Sequence, residues 1–208
     1  MSMSRTPEPK RRVDTVSSPA AGRILDGALA LITKRGDAHV TMAQIARAAR
    51  VSRQAVYLHF ADRAELMVAL ARHLDAELGL PAEIQRIADA TSGAEQVEAM
   101  VSLQARTNPA LWAVARAVDA VRRTDPAADR AWQDRLDARL AGCRHIVARL
   151  ESEGNLQAGL DASSAADILW TITSLRTWED LVLGGGWSPQ KYQRHVTRFL
   201  LATLTRGA

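Results

Sequence analysis

The 208-residue chain is 47% hydrophobic and 24% charged, enough apolar material for a sizeable core in one domain or in a small domain joined to a larger one. Its apolar residues form helical stripes with no run near the ~18 residues of a membrane span, and no apolar signal segment opens the chain, so a cytoplasmic protein without membrane contact is expected. Cys143 is the single cysteine, which excludes an intrachain disulfide framework, and the net charge of +4 is uneven: residues 1–63 hold 11 Lys or Arg against 5 Asp or Glu. A basic head (+6) on a slightly acidic body (−2) suits a polyanionic partner for the head alone.

Residues 1–17 contain Pro7, Pro9 and the run Lys10-Arg11-Arg12 without apolar periodicity, and are expected to be a disordered basic arm. Such an arm can follow phosphates or enter a minor groove, although an inert terminus is the plainer reading. Ser18 and Pro19 cap a first helix in which Ile24, Leu25, Ala28, Leu31 and Ile32 share a face, and Gly36 after Lys34 and Arg35 is its expected stop. Thr41 and Gln44 then form a possible capping box for a short helix carrying Ile45, Ala46 and Ala49. The alanines leave room for a close crossing. After the apolar plug Val51, Ser52 caps a second short helix with Val56 and Phe60 inward and Arg53, Gln54, Tyr57 and His59 on its polar side. Asp62 and Glu65 cap a fourth helix, whose stripe Leu66, Met67, Leu70, Leu74 and Leu78 ends before Pro81.

The run IARAARVSRQAVYLHF, with Thr41 before it and ADRAELM after it, resembles the N-terminal helix-turn-helix of the tetracycline-repressor (TetR) family over about residues 20–75. The Val56-Tyr57-x-His59-Phe60 signature carries most of the match. The resemblance implies an all-α dimer: a helix-turn-helix DNA-binding domain with linking helix, residues 18–78, then a larger helical ligand-binding and dimerisation domain, residues 79–208. Two positions depart from the family pattern. Arg50 stands where the family usually has glycine, at a cost of roughly 1 kcal/mol if it must adopt positive φ, and Arg63 replaces the usual lysine while keeping the cation. Gln54 has the amide geometry to read adenine and Arg53 can engage guanine or a phosphate. Thr41, Tyr57, His59 and Arg63 match the family's phosphate-holding positions. Taken singly, Tyr57 reads as core and His59 as a surface histidine; their joint spacing with the others favours the DNA-binding role.

Beyond Pro81, helices are expected over 82–90 and 94–106, separated at Ser92-Gly93 by a break or a kink, with a new one starting at Asn108-Pro109 and another at Asp125-Pro126. The latter carries Trp132, Leu136, Leu140, Cys143, Val147 and Leu150 at steps of three and four and stops at Gly154-Asn155. From Ala162 to Leu183 the sequence is apolar around much of its circumference and reads as one helix covered on several sides. Gly184-Gly185-Gly186 lacks the strand before it and the Lys-Ser or Lys-Thr after it that a phosphate loop needs, so it reads as a turn. Ser188-Pro189 caps a last helix with Tyr192, Val196, Phe199, Leu200 and Thr203 on one face. The surplus apolar surface of these last two segments is the expected homodimer interface.

Trp112, Trp132, Trp170 and Trp178 are candidates for the aromatic walls of a ligand cavity, although core packing is the plain reading of any one of them. Met100, Leu103, Arg116 and Arg176 are candidates for lining or for an anion handle, and Cys143, expected in the core, completes the candidate set. Catalysis finds no constellation. Cys143 and His145 diverge around a helix, and Glu179 and Asp180 are too close in sequence to face one another, so no catalytic residue, metal or cofactor is expected. The expected function is a sequence-specific transcriptional regulator: a homodimeric repressor on a palindromic duplex operator, responsive to a partly apolar small molecule. An all-helical enzyme or carrier, and a helical interaction module without a DNA role, are the competing readings.

Overall fold

The computed structural model describes residues 18–35 and 40–206, and within them every regular element is helical. The expected arm at 1–17 and the expected helix stop at Gly36 lie outside the described residues. Helix α1 (Pro19–Arg35) starts where the Ser18 hydroxyl accepts the Ala21 N–H at 3.1 Å, and it buries Ala21, Ile24, Leu25, Ala28 and Ile32. In α2 (Met42–Ala48) the full capping box is formed: Gln44 N–H donates to Thr41 Oγ1, and Thr41 N–H donates to Gln44 Oε1. Ser52 accepts from Ala55 N–H to start α3 (Arg53–His59), and Asp62 accepts from Glu65 N–H to start α4 (Arg63–Glu77). Each cap satisfies a donor that the first helical turn leaves without a backbone partner.

The turn between α2 and α3 is tight at both ends. Arg50 holds φ at 55°, left-handed backbone that a side chain adopts only at a cost. Ala49 lies against α1, where a Cβ added to Gly27 would meet the Ala49 nitrogen at 2.8 Å and its Cα at 2.9 Å. The small residues therefore serve the α1–α2 approach, with Gly27 as the side that admits no side chain.

Helices α5 (Leu80–Ala88), α6 (Gly93–Arg122), α7 (Pro126–Ser152), α8 (Ala162–Ile172), α9 (Leu175–Trp178) and α10 (Pro189–Leu204) complete the chain, with a π-helical turn over Glu179–Gly184. Two expectations need correction. Asn108-Pro109 does not begin a helix: α6 runs through it for 30 residues. Proline removes one internal hydrogen bond, but α6 packs on α4, α7 and α10 along its length, and burial outweighs that local loss. Conversely, the apolar stretch from Ala162 to Leu183 is not one helix. Thr173 Oγ1 donates back to the Leu169 carbonyl, and Ser174 then caps α9 by accepting from Thr177 N–H.

The interior forms two apolar clusters. The first joins α1–α4 to the C-terminal half of α6, through Ala113, Val114, Ala117, Val118 and Val121. The second joins the N-terminal half of α6 (Val97, Val101, Ala105) to α7, α8 and α10, with Cys143, Leu150, Leu169, Trp178 and Tyr192 at its centre. Trp112 packs against both, so α6 is the beam shared by the two cores. No helix among the described residues is long and apolar enough to cross a membrane.

Candidate functional site

One open groove is lined by Thr41, Arg53, Tyr57 and Arg63 together with Val40, Met42 and Ala43. Local structure explains the convergence. Thr41 is fixed as the cap of α2, Arg53 and Tyr57 are one turn apart on α3, and Arg63 opens α4 with its Nε–H donating to the Val40 carbonyl at 2.9 Å. Arg53 leans along its own helix: Nη2 donates to the Tyr57 hydroxyl at 3.4 Å, and the guanidinium lies 5.5 Å from the ring centroid. That hydrogen bond raises the Arg53 pKa further above its ordinary value, so the cation is permanent. Tyr57 remains 42% exposed, which disposes of its core reading.

Gln54 is exposed beside this groove, and among the described residues its amide has no hydrogen-bond partner. His59 does not line the groove. It is half-buried, its ring centroid 6.4 Å from that of Phe60, with Nδ1 sealed from solvent and unpartnered. Leu58, 74% exposed on α3, falls outside the sequence-derived set; an apolar residue on an otherwise polar helix side was the available signal. The arrangement offers two guanidinium groups, two hydroxyls and an amide on one solvent-facing surface, a donor set suited to phosphates and base edges.

A second concavity of about 320 Å³ lies between α4 (Val68, Ala71, Arg72), α6 (Leu111, Val114, Ala115, Val118) and α7 (Ala131, Trp132, Asp134, Arg135), with Leu175 of α9 at its edge. Of the nine residues nominated from sequence for ligand contact, Trp132 borders it. Trp112 is half-buried between the two clusters, while Cys143 and Trp178 are sealed inside the second. Met100 and Leu103 lie earlier on α6, half-buried and buried. Trp170 is half-buried under the Arg139 guanidinium, 4.6 Å from its ring centroid. Arg116 and Arg176 are exposed, and Arg176 pairs with Asp180 at 3.1 Å.

Sequence reasoning missed the α4 wall and two arginines of α7. Arg135 forms a two-pronged ion pair with Asp75 of α4, tying the wall of the cavity to the helix that carries Arg63. Arg139 sits on the inward stripe of α7, and a cation among Trp132, Leu136, Cys143 and Val147 was the signal that could have found it. Burial pushes the Cys143 thiol up to about 11 and the Tyr192 phenol up to about 12, the nearby Arg139 cation offsetting part of each rise.

Comparison with known proteins bears on this geometry. A 37% identical relative, an uncharacterized HTH-type transcriptional regulator of Mycobacterium tuberculosis, aligns over 95 residues, 44% of this chain and 46% of the relative. The match thus spans about half the length of that curated protein. Among solved structures, a transcriptional regulator from Saccharomonospora viridis in complex with choline superposes with a TM-score of 0.75 at 22% identity, covering 88% of this chain and 96% of that one. The transcriptional regulator FadR from Bacillus subtilis in complex with stearoyl-CoA gives a TM-score of 0.69 at 16% identity, covering 87% and 97%. At such identities these likenesses show a shared fold. The family model of the bacterial regulatory proteins, tetR family, matches residues 24–70, a segment within α1–α4 that includes the groove.

Proposed function

We propose that this protein is a sequence-specific DNA-binding transcriptional regulator, acting as a homodimeric repressor on a palindromic operator and released by a small effector. The observation that carries the reading is the convergence of Thr41, Arg53, Tyr57 and Arg63 on one open groove beside the unpartnered amide of Gln54. In this reading Arg53 and Gln54, in the first turn of α3, meet base edges, while Thr41, Tyr57, His59 and Arg63 hold the backbone. Helix α3 has seven residues, so only one short reader is offered per subunit. Two copies entering successive major grooves about 34–36 Å apart supply the affinity and the palindrome. The exposed Phe199 on α10 and Leu183 in the π-helical turn support a dimer interface in the last two segments.

Effector control follows from the second concavity. One of its walls is α4, whose first residue is Arg63, so an occupant that moves α4 against α6 and α7 changes the spacing of the paired readers. Tenfold regulation requires a difference of about 1.4 kcal/mol between the two conformations, and bound operator must alter effector affinity by the same factor. The neighbours that hold choline and stearoyl-CoA support a small-molecule role for this fold. The test is selection of duplexes from a randomised pool by the full-length protein. Enrichment of an inverted repeat with half-sites one or more helical turns apart is expected; recovery of a pool no different from the input refutes the reading.

A further inference from the structure

This inference rests on the regulator reading and gives its effector a chemistry. Arg139 lies half-buried on the inner side of α7, one turn beyond Arg135 and one turn before Cys143. Its hydrogen bonds all run through Nη1: to the Trp170 carbonyl at 2.7 Å, and to the carbonyl and hydroxyl of Thr173, each at 3.3 Å. None of these partners carries negative charge. Arg122, Arg135 and Arg149 each meet an aspartate or glutamate, but among the described residues no carboxylate pairs with Arg139. Its Nε and Nη2 atoms, the edge with which arginine grips a carboxylate in two-pronged fashion, make no hydrogen bond and are not sealed from solvent. Burial lowers the Arg139 pKa from the ordinary arginine value, the mark of a cation held without its counter-charge.

The surroundings are short of acceptors. The indole N–H groups of Trp112, Trp170 and Trp178 and the amide nitrogen of Asn108 are all buried without a partner, Asn108 being 4% exposed and Trp178 1%. Gln104, one turn before Asn108, donates to the Thr173 carbonyl at 2.7 Å and accepts the Tyr192 hydroxyl at 3.4 Å, which links α6, α8 and α10 around Arg139. The cavity between α4, α6 and α7 begins one helical turn away, at Arg135 on α7 and Leu111 on α6. A half-buried cation and orphaned donors, the cation one helical turn from a largely apolar cavity, call for an occupant with a negative, acceptor-rich head and an apolar body.

We infer that the effector is an amphiphilic carboxylate, its head on the Nε/Nη2 edge of Arg139 and its apolar body in the cavity lined by Val68, Leu111, Val114, Val118 and Trp132. The test is calorimetric titration of the full-length protein with decanoate, 1-decanol and decyltrimethylammonium. Decanoate should bind at least about tenfold more tightly than decanol, the scale of a charge-assisted hydrogen-bonded contact, and the cation should bind least. Arg139→Gln should bring decanoate down to the decanol level, and Arg139→Lys should retain part of the preference. Thermal melts of both variants without ligand show whether they fold, and decanoate should raise the midpoint of the wild type alone or most. Equal binding of decanoate and decanol by the wild type, preference for the cation, binding of none of the three, or an unchanged preference in a folded Arg139→Gln protein overturns the assignment. No DNA enters these titrations. A protein that selects decanoate but no duplex refutes the regulator reading and leaves the site standing, whereas one that selects a duplex and ignores decanoate refutes the site alone.

Discussion

The α1–α4 region and the α6–α10 region handle their polar groups in opposite ways. In the first, Arg53, Gln54 and Tyr57 stand outward on one short helix, and the core beneath them is apolar. In the second, Arg139, Asn108, Tyr192 and the indole groups of Trp170 and Trp178 are turned inward from five different elements. Outward groups on one helix leave a signature at fixed spacing in the sequence. Inward groups that meet only after five elements pack share no such spacing, even where one of them, Arg139, stands out on its own helix.

The sharpest way to break this contrast is to disturb the packing that presents the outward groups. Gly27→Leu places a side chain into the backbone of Ala49, and should lower stability by about 3 kcal/mol, read as a shift in the urea midpoint. An unchanged midpoint would show that α1 does not hold the α2–α3 turn at this point. The next effect concerns the outward groups themselves. Gln54→Ala should cost roughly 1–3 kcal/mol on the selected duplex, measured by fluorescence anisotropy, with the loss confined to one base pair. Equal losses on selected and random DNA would remove Gln54 from base reading.

The inward groups should show themselves in alkaline titration. The Cys143 thiol is raised to about 11 in the folded chain, so the unfolded chain ionises first, and stability falls as pH climbs from about 9 towards 11. Cys143→Ala should flatten that fall by up to about 2 kcal/mol across the window, measured by urea melts at fixed pH. A slope unaltered by the substitution would place the thiol in water. The smallest effect is at the turn. Arg50→Gly should stabilise the protein by about 1 kcal/mol, because glycine takes the observed φ of 55° without strain. A fall in melting temperature would mean that the Arg50 side chain contributes more than its backbone costs.

Helix starts were legible because a cap is a local event. Thr41 with Gln44, Ser52, Asp62, Asp125 and Ser188 each announce a helix within three residues, and each is formed. The groove was legible for the same reason, since Thr41, Arg53, Tyr57 and Arg63 lie within 23 positions of one another and on two capped helices and their junctions. Pro109 misled because a local rule for ending helices competes with packing on α4, α7 and α10, and packing won. Ser174 shows the reverse: its capping signal was present, but the apolar pattern running through it suggested one continuous helix. The cavity was not legible, because its walls are drawn from four helices whose relative rotation no spacing encodes.

Salt dependence of duplex binding tests the central claim most directly. Neutralising a phosphate with a lysine or arginine steepens the plot of log affinity against log salt by about 0.9. Two subunits, each presenting Arg63 to the backbone and Arg53 to the backbone or to guanine, should therefore give a slope between about −1.8 and about −3.6 for the wild type, and Arg63→Ala should make it shallower on every duplex. A wild-type affinity that does not change with salt, or a slope untouched by Arg63→Ala, would contradict a DNA-binding surface built on this groove.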